Sequence, residues 1–216
     1  MPYSKEHKFK SRERILKSAT ELFCRYGFDK VSINQVMKLA KMTHGAFYAH
    51  FDSKEALYKE SFLEALRNSR AARLAKSPFS LRHLTQLVTN YLNLRDLTEQ
   101  TGPGPETVLF NDIGSERSEV KRIYEQSYFS LLKLLETRIM ALGRLKKLPF
   151  SGEASVVSQR ARAIMATLVG AVAIARSIQN EEEGSRLLFA AQSQILVILG
   201  VSENELGYMS RETAAF

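Results

Sequence analysis

The chain has 216 residues with a net charge of +8, 44% hydrophobic residues and a single cysteine, Cys24. This hydrophobic content excludes a fibrous or broadly disordered chain, and one cysteine excludes an internal disulfide framework or a thiolate metal cluster. The start of the chain lacks the pattern of a signal peptide. The longest apolar run, 163–175, is shorter than a bilayer requires. The sequence therefore predicts a cytoplasmic protein with no contact with a membrane.

The positive charge is concentrated near the N-terminus. Up to Lys54 there are eleven Lys or Arg and five acids, which gives +6 and leaves +2 for the remainder. A basic quarter on a nearly neutral body favours a polyanionic partner for that quarter. The alternative is a basic face that is simply solvated.

The first elements are predicted by polar and apolar spacing. Residues 1–10 are polar and are expected to form a flexible basic arm. A helix with one apolar face is predicted from Ser11 and ends at Gly27, a residue typical of helix C-termini. A second helix begins at Ser32, where Ser32 and Gln35 have the spacing of a capping box.

The segment MTHGAFYAHFDSKEAL, residues 42–57, has too many polar residues for a helix that is only buried. A short helix is predicted after Thr43, with Phe47 and Phe51 four residues apart and facing a small core. Lys54 then adds charge at the start of the next helix. The residues expected on the outer face of the short helix are His44, Gly45, Ala46 and Tyr48. A short helix with such a face, held by a capped partner, is typical of a helix-turn-helix that faces DNA.

The rest of the chain has helical spacing and no strand alternation. The helices are predicted at about 80–96, 105–113, 117–142, 153–180 and 184–200. The predicted fold class is all-α, with an N-terminal three-helix domain and a C-terminal helical bundle.

Residues 15–62, ILKSATELFCRYGFDKVSINQVMKLAKMTHGAFYAHFDSKEALYKESF, resemble the DNA-binding domain of the tetracycline-repressor (TetR) family of transcription regulators. The matching motifs are A-x-x-L-F-x-x-x-G-F, S-x-x-x-V, G-A-F-Y-x-H-F and S-K-E-x-L, in this order. The resemblance covers about 11–63, with the helix-turn-helix at about 32–51. Lys41 stands where members of the family often have glycine. The resemblance implies that residues 64–216 form a helical domain for ligand binding and dimerisation.

The resemblance also implies roles for single residues in DNA binding. Thr43, Tyr48, His50 and Lys54 would contact phosphates; His44, Gly45 and Ala46 would lie near base edges; Ser32 and Asn34 would add a phosphate and a base contact. Residues 5–14 would reach the DNA backbone or a minor groove through Lys and Arg.

Five of these positions also have a simpler interpretation. Ser32 and Thr43 would serve as N-caps without DNA, and Tyr48 could pack on neighbouring helices. His50 could be a histidine at the edge of the core, and Lys54 a solvated lysine.

Two C-terminal helices are candidates for a homodimer interface. Residues 159–176 carry stripes of small residues that allow close helix packing, and 187–199 have apolar residues beyond one face. The candidate interface residues are Ala166, Gly170, Ala171, Leu188 and Ile195. The alternative is a monomer that buries both helices internally.

A ligand pocket is harder to predict. Tyr91, Phe110, Tyr128, Phe129 and Met165 could line an apolar cavity for a small apolar or aromatic effector, although aromatic residues at helical spacing more often form a core. No charged pair or metal-ligand cluster specifies a ligand, so no cofactor and no metal are expected. The irregular segment 101–114 leads into one of the short helices.

The predicted function is a ligand-responsive repressor that binds a palindromic DNA operator as a homodimer and is released by a small-molecule effector. One alternative is a helical small-molecule carrier with an inactive DNA-binding head. An enzyme is the other, and it is disfavoured because the four histidines show no metal-ligand spacing and no phosphate loop or nucleophile motif is present.

Overall fold

The computed structural model describes residues 5–68, 80–92 and 107–201. All regular secondary structure within these residues is helical. This confirms the predicted all-α fold class. Predicted features that fall within 93–106, including residues 101–106 of the irregular segment 101–114, lie outside the described residues.

The described helices follow the predicted order. They are α1 (Lys5–Tyr26), α2 (Ile33–Leu39), a 3-10 helix (His44–Ala49), α3 (Lys54–Asn68), α4 (Leu81–Leu92), α5 (Val108–Asn111), α6 (Ser118–Arg144), α7 (Ala154–Ser177) and α8 (Glu181–Leu199). Helix α1 begins at Lys5 rather than Ser11, so part of the predicted arm is helical. A pair between Lys10 Nζ and Glu6 Oε1, 2.7 Å apart at the i,i+4 spacing, supports this first turn.

Contacts divide the chain into two compact units. The first unit holds the described residues of Met1–Arg73 and Leu97–Tyr128, and the second those of Leu74–Asp96 and Phe129–Phe216. Helix α5 and the start of α6 thus group with the N-terminal helices, a grouping that the local sequence pattern does not indicate.

The core of the first unit is aromatic. Helix α1 packs on both α2 and α3. The rings of Phe23 and Tyr58 meet edge to face with centroids 4.9 Å apart, and Phe28 lies 5.2 Å from Tyr58. Val108 and Val120, from α5 and α6, belong to the same buried cluster. Burying these faces together is the main stabilising contribution to the unit.

Local signals in the sequence set the helix ends of the first unit. Ser32 Oγ accepts a hydrogen bond from the main-chain N–H of Gln35 at 3.2 Å, and Ser32 N–H donates to Gln35 Oε1 at 2.7 Å. The predicted capping box is therefore confirmed. Gly27, with φ of 81°, ends α1 in the left-handed region, as predicted.

The second unit is built around α7 and α8, which pack on each other, with α4 against both. Its buried side chains on α7 include Ile164, Leu168 and Val172. The Arg160 guanidinium donates a hydrogen bond to the carbonyl of Ile198 near the end of α8. This satisfies a carbonyl that has no partner within the helix.

Candidate nucleic-acid interface

The recognition segment, residues 43–51, is anchored by two buried phenylalanines. Phe47 is fully buried, Phe51 is 3% exposed, and their rings stack with centroids 5.9 Å apart. Both therefore face the core, as the four-residue spacing predicts. The segment forms a 3-10 helix, His44–Ala49, rather than two α-helical turns. Thr43 precedes it in extended conformation, but its side chain makes no capping hydrogen bond.

The opposite side of the recognition segment is open. Thr43, His44 and Gly45 are exposed, and Tyr48 is 62% exposed. The rings of His44 and Tyr48 meet at a right-angled contact with centroids 5.9 Å apart. A Cβ added at Gly45 would meet no heavy atom within 4 Å. This face has open space at Gly45 and exposed hydrogen-bonding groups, both of which close approach to a DNA groove requires.

Ala46 differs from its predicted position. Its side chain is partly buried and packs against the core cluster, so less of its methyl group is accessible than the sequence pattern predicts. Ser32 and Asn34, by contrast, are exposed at the start of α2.

His50 lies at the edge of the core. Its side chain is half-buried, and its Nδ1 atom is buried without a hydrogen-bond partner among the described residues. Burial, followed by the charges of Lys8 and Arg12, holds the pKa of His50 below its ordinary value of 6.5. The imidazole is therefore neutral at pH 7 in the free protein, where it can donate one hydrogen bond to an acceptor.

Lys54 is less free than a solvated lysine. Its Nζ lies 4.0 Å from the centroid of the Phe28 ring. Burial is the largest effect on its pKa and lowers it. The amino group is thus held beside the N-terminus of α3, where both a cation–π contact and a phosphate contact are possible.

The turn between α2 and the recognition segment is held from α1. Lys41 has φ of 55°, a conformation that favours glycine, the residue that the resemblance leads us to expect at this place. Arg14 Nη2 donates to the carbonyl of Ala40 at 2.5 Å. Arg12 forms an ion pair with Glu60 on α3.

These two arginines make contacts that the sequence pattern does not reveal. Residues 5–14 are predicted to reach DNA, but Arg12 and Arg14 make contacts within the first unit. A composition-based signal could not have separated them from Lys8 and Lys10, because their partners lie far along the chain.

The predicted ligand residues do not fall in one unit. Tyr91 and Met165 are buried in the second unit, whereas Phe110, which is buried, and Tyr128, which is half-buried, belong to the first. Phe129 is 54% exposed. No one unit gathers this set around a cavity, and their role in ligand binding stays a prediction.

The predicted dimer residues differ in exposure. Ala166 is exposed, Gly170 and Leu188 are half-buried, and Ala171 and Ile195 are buried within the chain. An added Cβ at Gly170 would meet nothing within 4 Å.

The large exposed apolar residues on α7 and α8 are not the predicted dimer residues. Ile174 on α7 and Phe189 and Val197 on α8 are 52%, 54% and 67% exposed. Sequence reasoning missed them because apolar spacing alone does not distinguish the inner from the outer face of a helix that is apolar on both.

Neither a metal site nor a clear membrane segment emerges from the described ranges. They contain no group of three or more His, Cys, Asp or Glu that could hold a metal ion. By length and composition, Ala154–Ser177 is apolar enough to cross a bilayer, but the core helix of a soluble protein meets the same criterion. This helix carries Arg160 and Arg162 and buries one face against its neighbours.

Residues 15–61 match the family model described as bacterial regulatory proteins of the tetR family. Over this segment the chain is similar to the tetR family, which confirms the resemblance stated from the sequence. The chain is also similar to a protein named the probable acrEF/envCD operon repressor of Escherichia coli (strain K12), with 31% identity over 61 residues and 28% of each chain covered. For the first curated relatives the match spans 45% and 28% of their length, less than half.

Solved structures resemble the chain over most of its length. The reduced form of E. coli NemR has a TM-score of 0.70 at 20% identity, covering 89% of this chain and 100% of that one. SmeT in complex with triclosan has a TM-score of 0.62 at 18% identity, covering 87% and 90%. At these identities the likeness shows the fold, a helix-turn-helix domain followed by a helical domain.

Proposed function

We propose that the protein is a DNA-binding transcriptional regulator, a ligand-responsive repressor that binds a palindromic operator as a homodimer. The observation that carries this proposal is the recognition segment, whose exposed small and polar face lies over the buried Phe47 and Phe51. A rigid support beneath an open face is what reading of a DNA groove requires. The basic N-terminal quarter would supply attraction to the phosphates.

Contacts to DNA divide by the position of each side chain. His44 and Gly45, on the exposed face, would lie nearest the base edges, with the methyl group of Ala46 less accessible. Thr43, Tyr48, His50 and Lys54 would contact phosphates, and Ser32 and Asn34 at the start of α2 would add a phosphate and a base contact. Phosphate contacts fix the register of the protein on DNA, and base contacts select the sequence.

Dimerisation would use the outer faces of α7 and α8. Ile174, Phe189 and Val197 are exposed there, as is the small side chain of Ala166, and the space beside Gly170 would admit a second helix. The buried Ala171 and Ile195 would support this surface from within. A two-fold dimer would place two recognition segments about one DNA turn apart, roughly 34–36 Å.

A small apolar or aromatic effector would release the protein from DNA. The SmeT complex with triclosan supports this, because a protein with the same fold there holds a small aromatic molecule. Tyr91, Met165, Phe110 and Tyr128 remain the proposed lining residues. An effector that binds one arrangement of the helices more tightly would lower operator affinity, with a typical coupling of about 1–3 kcal/mol. We place the protein in the cytoplasm, with no catalytic role.

Selection of bound fragments from a random DNA library tests the proposal. The purified protein at moderate salt should enrich an inverted repeat. The matched control is Gly45→Glu, because the site has open space for a side chain while the added carboxylate would repel phosphates. This variant should fold and enrich nothing. Recovery of unenriched DNA by the unaltered protein would favour a carrier with an inactive head.

A further inference from the structure

A buried carboxylate joins the two flanks of the helix-turn-helix. Asp112, directly after α5, is 6% exposed. Its Oδ1 accepts a hydrogen bond from Phe28 N–H at 2.8 Å, and its Oδ2 accepts one from Tyr58 Oη–H at 2.6 Å. Phe28 precedes α2, and Tyr58 lies on α3 after the recognition segment. All three residues belong to the first unit.

Asp112 lies close to the backbone of Gly27, which has no side chain to block it. A Cβ at Gly27 would lie 2.9 Å from Asp112 Oδ1, so any larger residue there would displace the carboxylate. Asn111 Nδ2 also donates to the carbonyl of Cys24, near the end of α1, at 2.8 Å. Two neighbouring polar side chains thus hold the last turn of α1 and the connection to α2.

A second, exposed set of contacts joins the same two places. Arg117 Nε donates to Asp29 Oδ1 at 3.1 Å, and Arg117 Nη1 lies 3.5 Å from Glu55 Oε1 at the start of α3. Asp29 follows Phe28 in the connection between α1 and α2. Exposed ion pairs of this kind are weak, so the buried carboxylate is the stronger of the two links.

We infer that Asp112 is a positioning residue for DNA recognition, which fixes the connection before α2 relative to α3 and so sets the orientation of the recognition segment. This inference rests on the proposed function. The carboxylate touches no DNA. It acts through Phe28 and Tyr58. The positions of these two residues determine how α2 and α3 are placed on either side of the recognition segment. Directional hydrogen bonds to a buried charged group are the strong kind, and they hold a geometry that apolar packing alone leaves adjustable.

The test compares Asp112→Ala with Asp112→Asn. Asparagine retains an acceptor for Phe28 N–H and offers an N–H to Tyr58 Oη, whereas alanine loses both contacts. We expect Asp112→Ala to lower affinity for the selected operator by about tenfold or more while nonspecific DNA affinity is unchanged, and Asp112→Asn to restore most of it. Tyr58→Phe keeps the ring contacts, removes one hydrogen bond, and should give a smaller loss.

A control for charge comes from the same segment. Glu116 is an exposed acid in residues 111–117, and Glu116→Ala changes the net charge by the same amount as Asp112→Ala. It should leave the ratio of specific to nonspecific affinity unchanged. If folded Asp112→Ala lost thermal stability but kept this ratio, Asp112 would be a stabilising residue only and the inference would be overturned.

Hydrogen exchange gives a readout that needs no operator. In Asp112→Ala, amides of the recognition segment and of α2 should exchange faster than in the unaltered protein, and in Asp112→Asn they should not. Unchanged exchange in Asp112→Ala would overturn the inference even if the unaltered protein bound DNA without specificity. DNA binding without specificity by the unaltered protein would be a separate result, and it would contradict the proposed function.

Discussion

The contacts that stabilise the first unit internally differ from those that stabilise the second. In the first, side chains reach main-chain groups far along the chain, as Arg14 does at Ala40 and Asn111 at Cys24. In the second, Arg160 also reaches the carbonyl of Ile198, but α7 and α8 otherwise meet mainly through apolar side chains and leave Ile174 and Val197 exposed. The difference follows from the tasks proposed for the units. Reading DNA needs a fixed backbone, which directional hydrogen bonds provide, and apolar faces suit association.

The relatives show the same division. The family model matches only residues 15–61, all in the first unit, while the structural likeness extends over most of the chain at low identity. Apolar packing tolerates many substitutions of similar volume, whereas a hydrogen bond to one carbonyl depends on a particular side chain. The sequence match therefore covers part of the first unit, and beyond it the likeness to solved structures is one of fold.

The largest expected effect is loss of the support beneath the recognition segment. Phe47→Ala removes a fully buried ring and should lower the free energy of unfolding by about 3–5 kcal/mol. Chemical denaturation measures the change. Phe9→Ala, at a 62% exposed ring on α1, is the control and should change it by less than about 0.5 kcal/mol. Equal effects of the two variants would contradict the assigned core.

Val197→Asp tests the outer face of α8. Val197 is 67% exposed, so the folded monomer should tolerate the change, while a charge within an apolar interface should raise the dimer dissociation constant by about 100-fold or more. Analytical ultracentrifugation measures this. Lys133→Glu, at an exposed position on α6, should leave the dimer intact. A Val197→Asp protein that remained dimeric would place the interface elsewhere.

Lys54→Ala decides between a phosphate contact and packing on Phe28. Loss of one phosphate contact should weaken binding to all DNA sequences and reduce the slope of log affinity against log salt by about one. Lys59→Ala, an exposed lysine on the same helix, should reduce the slope less. An unchanged slope for Lys54→Ala would mean that the lysine only packs on the ring of Phe28.

DNA binding should strengthen modestly as the pH falls. The pKa of His50 lies below 6.5 in the free protein, and a phosphate would raise it, so the complex takes up a proton. The affinity for DNA should rise by about two- to threefold as the pH falls from roughly 7.5 to 5.5, and anisotropy titrations measure this change. His50→Gln should remove the increase that is due to His50. If His50→Gln kept the full pH dependence, the proton would be taken up elsewhere.

The same shift affects folding with the opposite sign. Because the unfolded chain binds the proton more readily than the folded one, stability from neutral His50 is present above pH 6.5 and is lost as the pH falls below it.

The smallest expected effect distinguishes two turns. Lys41 and Lys146 both have φ of 55°, one in each unit. Glycine at either place should raise the free energy of unfolding by about 0.5 kcal/mol, since relief of the strained backbone exceeds the added entropy of the unfolded chain. Thermal unfolding measures both. Only Lys41→Gly should also alter the affinity for the operator. An equal change in operator affinity for Lys146→Gly would contradict a special role for the turn at Lys41.

The sequence by itself determined the elements and the motif of the first unit. The capping box of Ser32, the left-handed Gly27 and the inward spacing of Phe47 and Phe51 are local features, set by residues a few positions apart. Helical periodicity likewise placed those ends of the later helices that fall among the described residues within a few positions, because spacing along one helix needs no knowledge of its partners.

Only the tertiary structure decided which groups meet across the chain. Arg14 lies 26 residues from Ala40, and Asp112 lies 84 residues from Phe28, and in each case the partner is a main-chain group that every residue carries. The exposure of Val197 beside the burial of Ile195 likewise depends on which face of α8 meets α7. No spacing rule specifies these choices, since they follow from how the helices pack.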